Sequence, residues 1–373
     1  MEKKTIVCVV GTRPEAIKMA PVVIALRKIE TFNVKILATG QHTKMLDQAL
    51  SFFNLVADKN LLIMKANQTL DYITSSVLNG AGEYFDEIKP DAVLVHGDTT
   101  TTFASALAAF YRNIPIGHVE AGLRSFNIRL PFPEEMNRVL TDRLITWGFA
   151  PTELSKQNLI KEEICDSKIH VTGNTVIDAL FYTINNTAKP TCDELSSLPT
   201  NVPFILLTAH RRESWGEPLE EICKALLDIL EKHPEIWVVI PMHKNPNVRN
   251  IFYKYLSNND RIILCEPLDY PDFVWCMNNS RFIMSDSGGV QEEASAIKKP
   301  LLILREVTER PEAVQFGSAK LVGLDTQKIY KSAIDLLDSE KMLIEIENKC
   351  KEQPFGDGKA SEKIALILKE YFD

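Results

Sequence analysis

The sequence predicts an α/β protein built as two doubly wound lobes, each a parallel sheet flanked by helices, with a cleft between them. Three observations predict it. Short β-rich apolar runs alternate with amphipathic helical stretches from end to end; a polar, proline-broken segment interrupts them near the middle; and the same alternation restarts beyond it. A chain of 373 residues is also too long for one ordinary core, so two domains are expected.

In the first half, residues 5–10, 34–38, 92–96 and 114–119 read as buried parallel strands, being continuous apolar runs bounded by polar or turn residues. Residues 15–29, 70–88 and 101–112 carry helical periodicity between them. Residues 182–202, which include Asn185, Asn186, Pro190, Ser196, Ser197 and Pro199, read as a linker between an N-terminal lobe (1–181) and a C-terminal lobe (203–359). The second half repeats the pattern: strand 204–208, helix 219–232, strands 237–240, 261–264 and 282–285, helix 290–297 and strand 301–304. A last helical stretch, 360–373, follows the turn Phe355-Gly356-Asp357-Gly358 and is expected to pack back onto the first lobe.

Composition narrows the function. Hydrophobic residues at 45% and charged residues at 25% are ordinary for a soluble globular chain. A net charge of −8 leaves no electrostatic footprint for nucleic acid, and no polybasic block serves a membrane surface. An anionic substrate has to be held by local positive charge against the overall field. The apolar run 5–10 is too short for a signal-peptide core, and none is long enough to span a bilayer. The seven cysteines (Cys8, Cys165, Cys192, Cys223, Cys265, Cys276, Cys350) are scattered, without a C-x-x-C pair. They fit a reducing, cytoplasmic compartment, with each thiol a small buried hydrophobe and no metal site among them.

In doubly wound sheets ligands sit outside the carboxyl ends of the strands, so the residues after each strand are the candidates for chemistry. After the first strand comes Gly11-Thr12-Arg13-Pro14-Glu15, with Lys18 one turn into the helix. Gly11 lets the backbone approach a ligand that Arg13 and Lys18 can face; a capped turn with solvated charges is the alternative. The loop has neither the glycine spacing of a dinucleotide site nor the Gly-Lys-Ser/Thr of a P-loop.

Three carboxylates arise at strand or helix ends of the first lobe. They are Asp98 in His96-Gly97-Asp98-Thr99, Glu120 in His118-Val119-Glu120-Ala121-Gly122-Leu123-Arg124, and Glu134 in Pro133-Glu134-Glu135-Met136-Asn137-Arg138. Glu134 and Arg138 stand at i and i+4 on one helix face, a spacing that equally suits a surface ion pair. Asp98 and Glu120, beside histidines at strand ends, favour the functional reading over helix caps.

In the second lobe, Ser285-Asp286-Ser287-Gly288-Gly289-Val290-Gln291-Glu292-Glu293 joins a strand end to a helix start. Ser287, Gly288 and Gly289 expose backbone donors suited to a diphosphate, and Glu293 can accept from ribose hydroxyls; a plain glycine-rich helix start is the alternative. Arg310 adds a cation beside a turn. His210, flanked by Arg211 and Arg212 after a strand, is the histidine favoured for chemistry, with His243 and His42 as further candidates.

Taken in order, these motifs resemble the non-hydrolysing UDP-N-acetylglucosamine 2-epimerases of bacteria through nearly the whole chain. The resemblance rests on Gly11-Thr12-Arg13-Pro14-Glu15-Ala16-Ile17-Lys18, His96-Gly97-Asp98-Thr99, Glu120-Ala121-Gly122-Leu123-Arg124, Pro133-Glu134-Glu135-Met136-Asn137-Arg138, Gly173-Asn174-Thr175, His210-Arg211-Arg212-Glu213, Asp286-Ser287-Gly288-Gly289 and Thr308-Glu309-Arg310-Pro311-Glu312. It implies two Rossmann-like lobes as in GT-B glycosyltransferases. It also implies interconversion of UDP-N-acetylglucosamine and UDP-N-acetylmannosamine through elimination of UDP to a bound 2-acetamidoglucal and re-addition. No metal or other cofactor is implied, and the partners are the UDP-sugar, UDP and a second copy in a homodimer. The product is activated N-acetylmannosamine for bacterial surface polysaccharide synthesis.

By the same resemblance Asp98, Glu120, Glu134 and His210 carry catalysis with Arg138 in support. Arg13, Lys18, His243, Ser287, Gly288, Gly289, Glu293 and Arg310 form the UDP-binding set. Gln41, His42, Gln68, Arg211 and Glu213 match the positions of a second, activating substrate site, although Lys44 and Asn67 depart from the Gln and Arg of some regulated relatives. Further departures are Trp147-Gly148-Phe149, Ala294-Ser295-Ala296-Ile297-Lys298-Lys299-Pro300, and Ser125-Phe126-Asn127-Ile128-Arg129-Leu130 beside the catalytic positions. The rival readings are a GT-B glycosyltransferase, a 2-epimerase of a related UDP-hexosamine, a hydrolysing epimerase and a non-catalytic sensor of the nucleotide sugar.

Overall fold

The structure is a computed structural model that describes residues 3–40, 43–65, 68–211, 214–308, 310–339, 346 and 353–373. It divides into two compact units, residues 1–179 with 355–373 and residues 180–354. Each holds a parallel sheet flanked by helices, the α/β architecture expected from the alternation.

The first unit contains β1 (Lys4–Val10), α1 (Arg13–Arg27), β2 (Phe32–Ala38), α2 (Thr43–Phe52), β3 (Lys59–Asn60), α3 (Leu70–Ile88), β4 (Ala92–His96), α4 (Thr100–Phe110), β5 (Ile116–Val119), α5 (Glu134–Arg143), β6 (Trp147–Ala150), α6 (Glu153–Lys161) and β7 (Ile169–Val171), and it takes in the first residues of α7 (Thr175–Asn186). Its seven strands run in the order β3-β2-β1-β4-β5-β6-β7. Ile6, Val7 and Cys8 are wholly buried, as are Val93, Leu94 and Val95, because helices cover both faces of such a sheet. The strand expected over 114–119 begins at Ile116, since Pro115 has no N–H to give a ladder.

The second unit contains β8 (Phe204–Thr208), α8 (Glu217–Lys232), β9 (Trp237–Pro241), α9 (Pro246–Leu256), β10 (Ile262–Cys265), α10 (Tyr270–Asn279), β11 (Phe282–Ser285), α11 (Gly288–Ala296), β12 (Leu301–Ile303), α12 (Pro311–Gln315), β13 (Ala319–Leu321) and α13 (Thr326–Asp338). Its strand order is β10-β9-β8-β11-β12-β13. In both sheets the order reverses beside the first strand, between β1 and β4 and between β8 and β11. That is where a doubly wound sheet opens a crevice for ligand.

Residues 182–202 are structured rather than a free connection. α7 continues to Asn186, and Asp272 of α10 accepts from Thr191 N at 2.8 Å, Thr191 Oγ1 at 3.0 Å and Cys192 N at 2.8 Å. Leu195 is 3% exposed. The breakers in this segment made it look like a linker; a buried carboxylate satisfies the backbone they leave free. The last helix, α14 (Ala360–Phe372), belongs to the first unit. Asp178 of α7 accepts from Ala360 N and Ser361 N, two of the otherwise orphaned donors at its start. Its far end packs Tyr371 edge-on against Trp147, ring centroids 4.7 Å apart, so the unusual Trp147 has a packing role.

The cysteines depart in part from the expected pattern. Cys8, Cys223, Cys265 and Cys276 are buried, and burial pushes the Cys8, Cys223 and Cys265 thiols up to about 12. Cys192 is half-buried and Cys165 exposed, both lying in irregular segments outside the cores; Cys350 falls outside the described residues. Among the described residues, no helix is long and apolar enough to cross a membrane.

Candidate active site

At the reversal point of the first sheet the chain leaves β1 through Gly11 and Thr12. The expectation that Gly11 admits a ligand is corrected. A Cβ there would lie 2.3 Å from Thr101 Oγ1 and 2.8 Å from Thr39 Oγ1, so neighbouring side chains occupy that approach. The start of α1 is likewise filled from within: Glu15 Oε2 accepts from Gly11 N at 2.9 Å and Thr12 N at 2.6 Å. Its other oxygen accepts from Thr99 Oγ1 at 2.6 Å and Thr102 Oγ1 at 3.1 Å, joining α1 to the start of α4. Gly11→Ala is therefore expected to overpack this junction and destabilise the fold by about 1–3 kcal/mol. A urea midpoint equal to that of the parent would show that the threonines yield instead.

β4 ends at His96, and Gly97 turns in the left-handed region (φ 69°) to present Asp98. Arg138 Nη2 lies 2.5 Å from Asp98 Oδ2, and Asn137 Nδ2 donates to the Asp98 carbonyl at 2.9 Å. Arg138 also lies 3.3 Å from Glu135, not in a pair with Glu134. The i, i+4 pairing read from the sequence gives way to a tertiary contact with Asp98 and an i, i+3 contact with Glu135. Glu134, the first residue of α5, is half-buried, and no described residue forms an ion pair with it.

Glu120, just after β5, has φ 70°, a conformation that side chains other than glycine adopt at a cost and that clusters at functional sites. Its Oε2 pairs with Lys18 Nζ, accepts from Asn174 Nδ2 at 3.0 Å and lies 3.4 Å from His96 Nε2. Burial alone would raise this carboxyl, but Lys18 and His96 hold it well below the usual carboxylate range. Neither His96 ring nitrogen has a hydrogen-bond partner among the described residues, although the side chain is 4% exposed. Asp98 with Arg138, and Glu120 with Lys18, His96 and Asn174, thus form two charged groups at the carboxyl ends of adjacent strands. Arg13 stands half-buried at the first position of α1.

In the second unit Asp286, wholly buried after β11, organises the segment after β8. Its Oδ2 accepts from His210 N at 2.8 Å, Arg211 N at 2.9 Å and Ser214 Oγ at 3.0 Å. Its Oδ1 lies 3.3 Å from His210 Nδ1, and the His210 ring stacks on His243 with centroids 6.0 Å apart. Partial burial lowers the His210 imidazole from its ordinary value; Asp286 opposes this, while His243 and Arg211 add to it.

α11 begins at Gly288 with Ser287 before it, and the Arg211 guanidinium lies 3.7 Å from where a Gly288 Cβ would stand. Ser287 N donates to Ser285 Oγ at 3.0 Å, and the glycine N–H groups at the helix start with an arginine at one spot suit a diphosphate. Glu293, 6% exposed, accepts from Tyr270 Oη at 2.8 Å. Arg310 Nε lies 2.5 Å from Glu292 Oε1, which ties α12 to α11.

The expected residues thus fall into two sets. Asp98, Glu120, Glu134, Arg138, Arg13 and Lys18 belong to the first unit, where Lys18 pairs with Glu120. His210, His243, Ser287, Gly288, Gly289, Glu293 and Arg310 belong to the second. Of the proposed activating site, Gln41, His42 and Glu213 lie outside the described residues, Gln68 is half-buried before α3, and Arg211 is at the glycine turn. His96, Asn174, Asp286 and Tyr270 were not singled out from sequence. His96 and Asp286 carried a signal, each being a polar residue at a strand end, whereas Tyr270 carried none.

The family described as UDP-N-acetylglucosamine 2-epimerase matches residues 24–369. The UDP-N-acetylglucosamine 2-epimerase of Escherichia coli K12 is 48% identical over 98% of each chain. That of Bacillus subtilis 168 is 48% identical over 99% of this chain and 96% of its own. The solved UDP-GlcNAc 2-epimerase of Neisseria meningitidis, bound to UDP-GlcNAc, is 48% identical with a TM-score of 0.87, covering 98% of this chain and 100% of that one. With the strand-end motifs all present in order and the identity carried across nearly the whole length, the chain belongs to the UDP-N-acetylglucosamine 2-epimerase family.

Proposed function

We propose that this protein interconverts UDP-N-acetylglucosamine and UDP-N-acetylmannosamine without hydrolysis. The observation that carries the reading is Glu120, held ionised in a strained backbone by Lys18 and His96, one strand away from the Asp98–Arg138 pair. A C2 proton is barely acidic, so its removal needs a positioned base and a leaving group made better by cations. A carboxylate takes the C2 proton, the C2–H electrons form the C1=C2 bond, and the C1–O bond to UDP breaks. UDP then adds back to C1 of the 2-acetamidoglucal while a second group returns a proton to the opposite face of C2.

Asp98, Glu120 and Glu134 supply proton transfer, with Arg138 in support. Ser287, Gly288, Gly289 and Arg211 hold the diphosphate, Glu293 the ribose, and His210 assists catalysis; Arg13, Lys18, His243 and Arg310 complete the UDP-binding set. No metal or other cofactor enters these steps. The six described thiols, all unpaired, support a cytoplasmic setting. We read the protein as a homodimer that supplies activated N-acetylmannosamine for surface polysaccharide.

Turnover of UDP-N-acetylglucosamine in heavy water tests the chemistry. Proton NMR is expected to show both epimers with deuterium at C2. Product that keeps its original C2 proton would overturn the elimination route. No isomer without an added acceptor would point to a glycosyltransferase, and free N-acetylmannosamine to a hydrolysing enzyme.

A further inference from the structure

We propose that His118 is a positioning residue for this reaction, which with Asp142 fixes the Gly97 carbonyl and so the turn that presents Asp98. His118 is wholly buried in β5. Its Nε2 lies 2.7 Å from the Gly97 carbonyl oxygen and its Nδ1 2.6 Å from Asp142 Oδ1. Both neighbours offer acceptor oxygens, so the ring bridges the Asp142 carboxylate and the Gly97 carbonyl. Asp142 is itself ionised: burial would raise it, but His118 and Arg124 hold it down. Arg124 Nη2 lies 2.7 Å from Asp142 Oδ2, and Arg124 Nε 2.7 Å from Glu162. A continuous chain of paired polar groups, Glu162–Arg124–Asp142–His118, therefore ends on one peptide oxygen.

That peptide is the one before Asp98. Helix α5 then holds the turn at three points: Asn137 on the Asp98 carbonyl, Arg138 on its carboxylate, and Asp142, through His118, on the Gly97 carbonyl. Stability does not account for such a chain, because well-packed apolar residues in place of buried charges are often as stable or more so. A fixed Asp98 does account for it, since a misplacement of about 1 Å at a reacting group can cost on the order of 10²-fold in rate.

The inference rests on the reading that Asp98 transfers a proton, and a double-mutant cycle separates the two. His118→Phe keeps an aromatic ring and removes both hydrogen-bonding nitrogens. It is expected to lower kcat by on the order of 10²-fold with UDP affinity by calorimetry unchanged, and to add less than about 3-fold when placed on Asp98→Asn. An equal loss in both backgrounds, or a folded His118→Phe with the parent's kcat, would overturn the positioning role. Asp98→Asn at the parent's rate would instead overturn the role of Asp98 on which it rests. Should His118→Phe fail to fold, Asp142→Asn, which leaves the ring in place, goes through the same cycle with the same expected non-additivity.

Discussion

Glu120→Gln is expected to lower turnover by on the order of 10³-fold while UDP affinity changes little. The amide keeps the size of the carboxylate and can still accept from Asn174 and Lys18, but it cannot take a proton. A residue serving only to satisfy Lys18 would behave differently: its amide would cost stability and leave the rate of the remaining folded protein near the parent's.

The pH dependence has a definite sign. The folded-state value of Glu120 lies well below its ordinary one, so its contribution to stability is fully present above the unfolded carboxyl range, near pH 4.3. It is lost as pH falls through the depressed folded value. The parent is therefore expected to exceed Glu120→Gln in stability by a constant amount at neutral pH, and by less in strong acid. Urea unfolding of both proteins across that range reads the difference. A gap that widens on acidification would mean that Glu120 is protonated in the resting enzyme.

Much of this site was legible because parallel strands buried on both faces announce themselves as unbroken apolar runs. The residues that follow such runs are then the ones at the ligand end of the sheet. Gly97 and Asp98 after β4, Glu120 after β5, His210 after β8 and Asp286 after β11 all fall there. The pairings were not legible. Local spacing offered Glu134 to Arg138, but Arg138 reaches Asp98, forty positions away in sequence. Helical periodicity has no access to that choice, which strand order and burial make.

The same limit hid the Glu120 group. Lys18, His96 and Asn174 come from three separate segments and meet only when β1, β4 and β5 lie side by side and α7 starts beyond β7. Gly11 shows the reverse error, since a glycine at a strand end looks like room for a ligand. Its neighbours Thr39 and Thr101 come from β2's end and α4, and only the packed structure shows that they need the space. His118 and Asp142 are both wholly buried; His118 stood in a strand-end motif without a role and Asp142 in none, since nothing in spacing separates a core histidine from one that braces a catalytic turn.

Gly288→Asp is expected to move fold stability and ligand affinity in opposite directions. Gly288 has no backbone conformation reserved for glycine, and among the described residues its Cβ would meet only the Arg211 guanidinium, at 3.7 Å, so the fold admits a side chain there. A carboxylate in the first turn of α11 faces the positive end of the helix and adds about 0.3–1 kcal/mol to stability, with Arg211 as a further partner. The same carboxylate takes the donors and the cation that we assign to the diphosphate and sets like charge against it. UDP affinity is expected to fall by about 3 kcal/mol, roughly two orders of magnitude. Gly288→Ala carries the same Cβ without charge and is expected to stay within about threefold of the parent in affinity, since no atom it meets is displaced. Calorimetric titration of UDP into the three proteins, beside their thermal transitions, reads both effects. A folded Gly288→Asp that binds UDP as the parent does would remove the glycine turn from the phosphate site, and His210, His243 and Arg310 would then have to hold UDP elsewhere in the second unit.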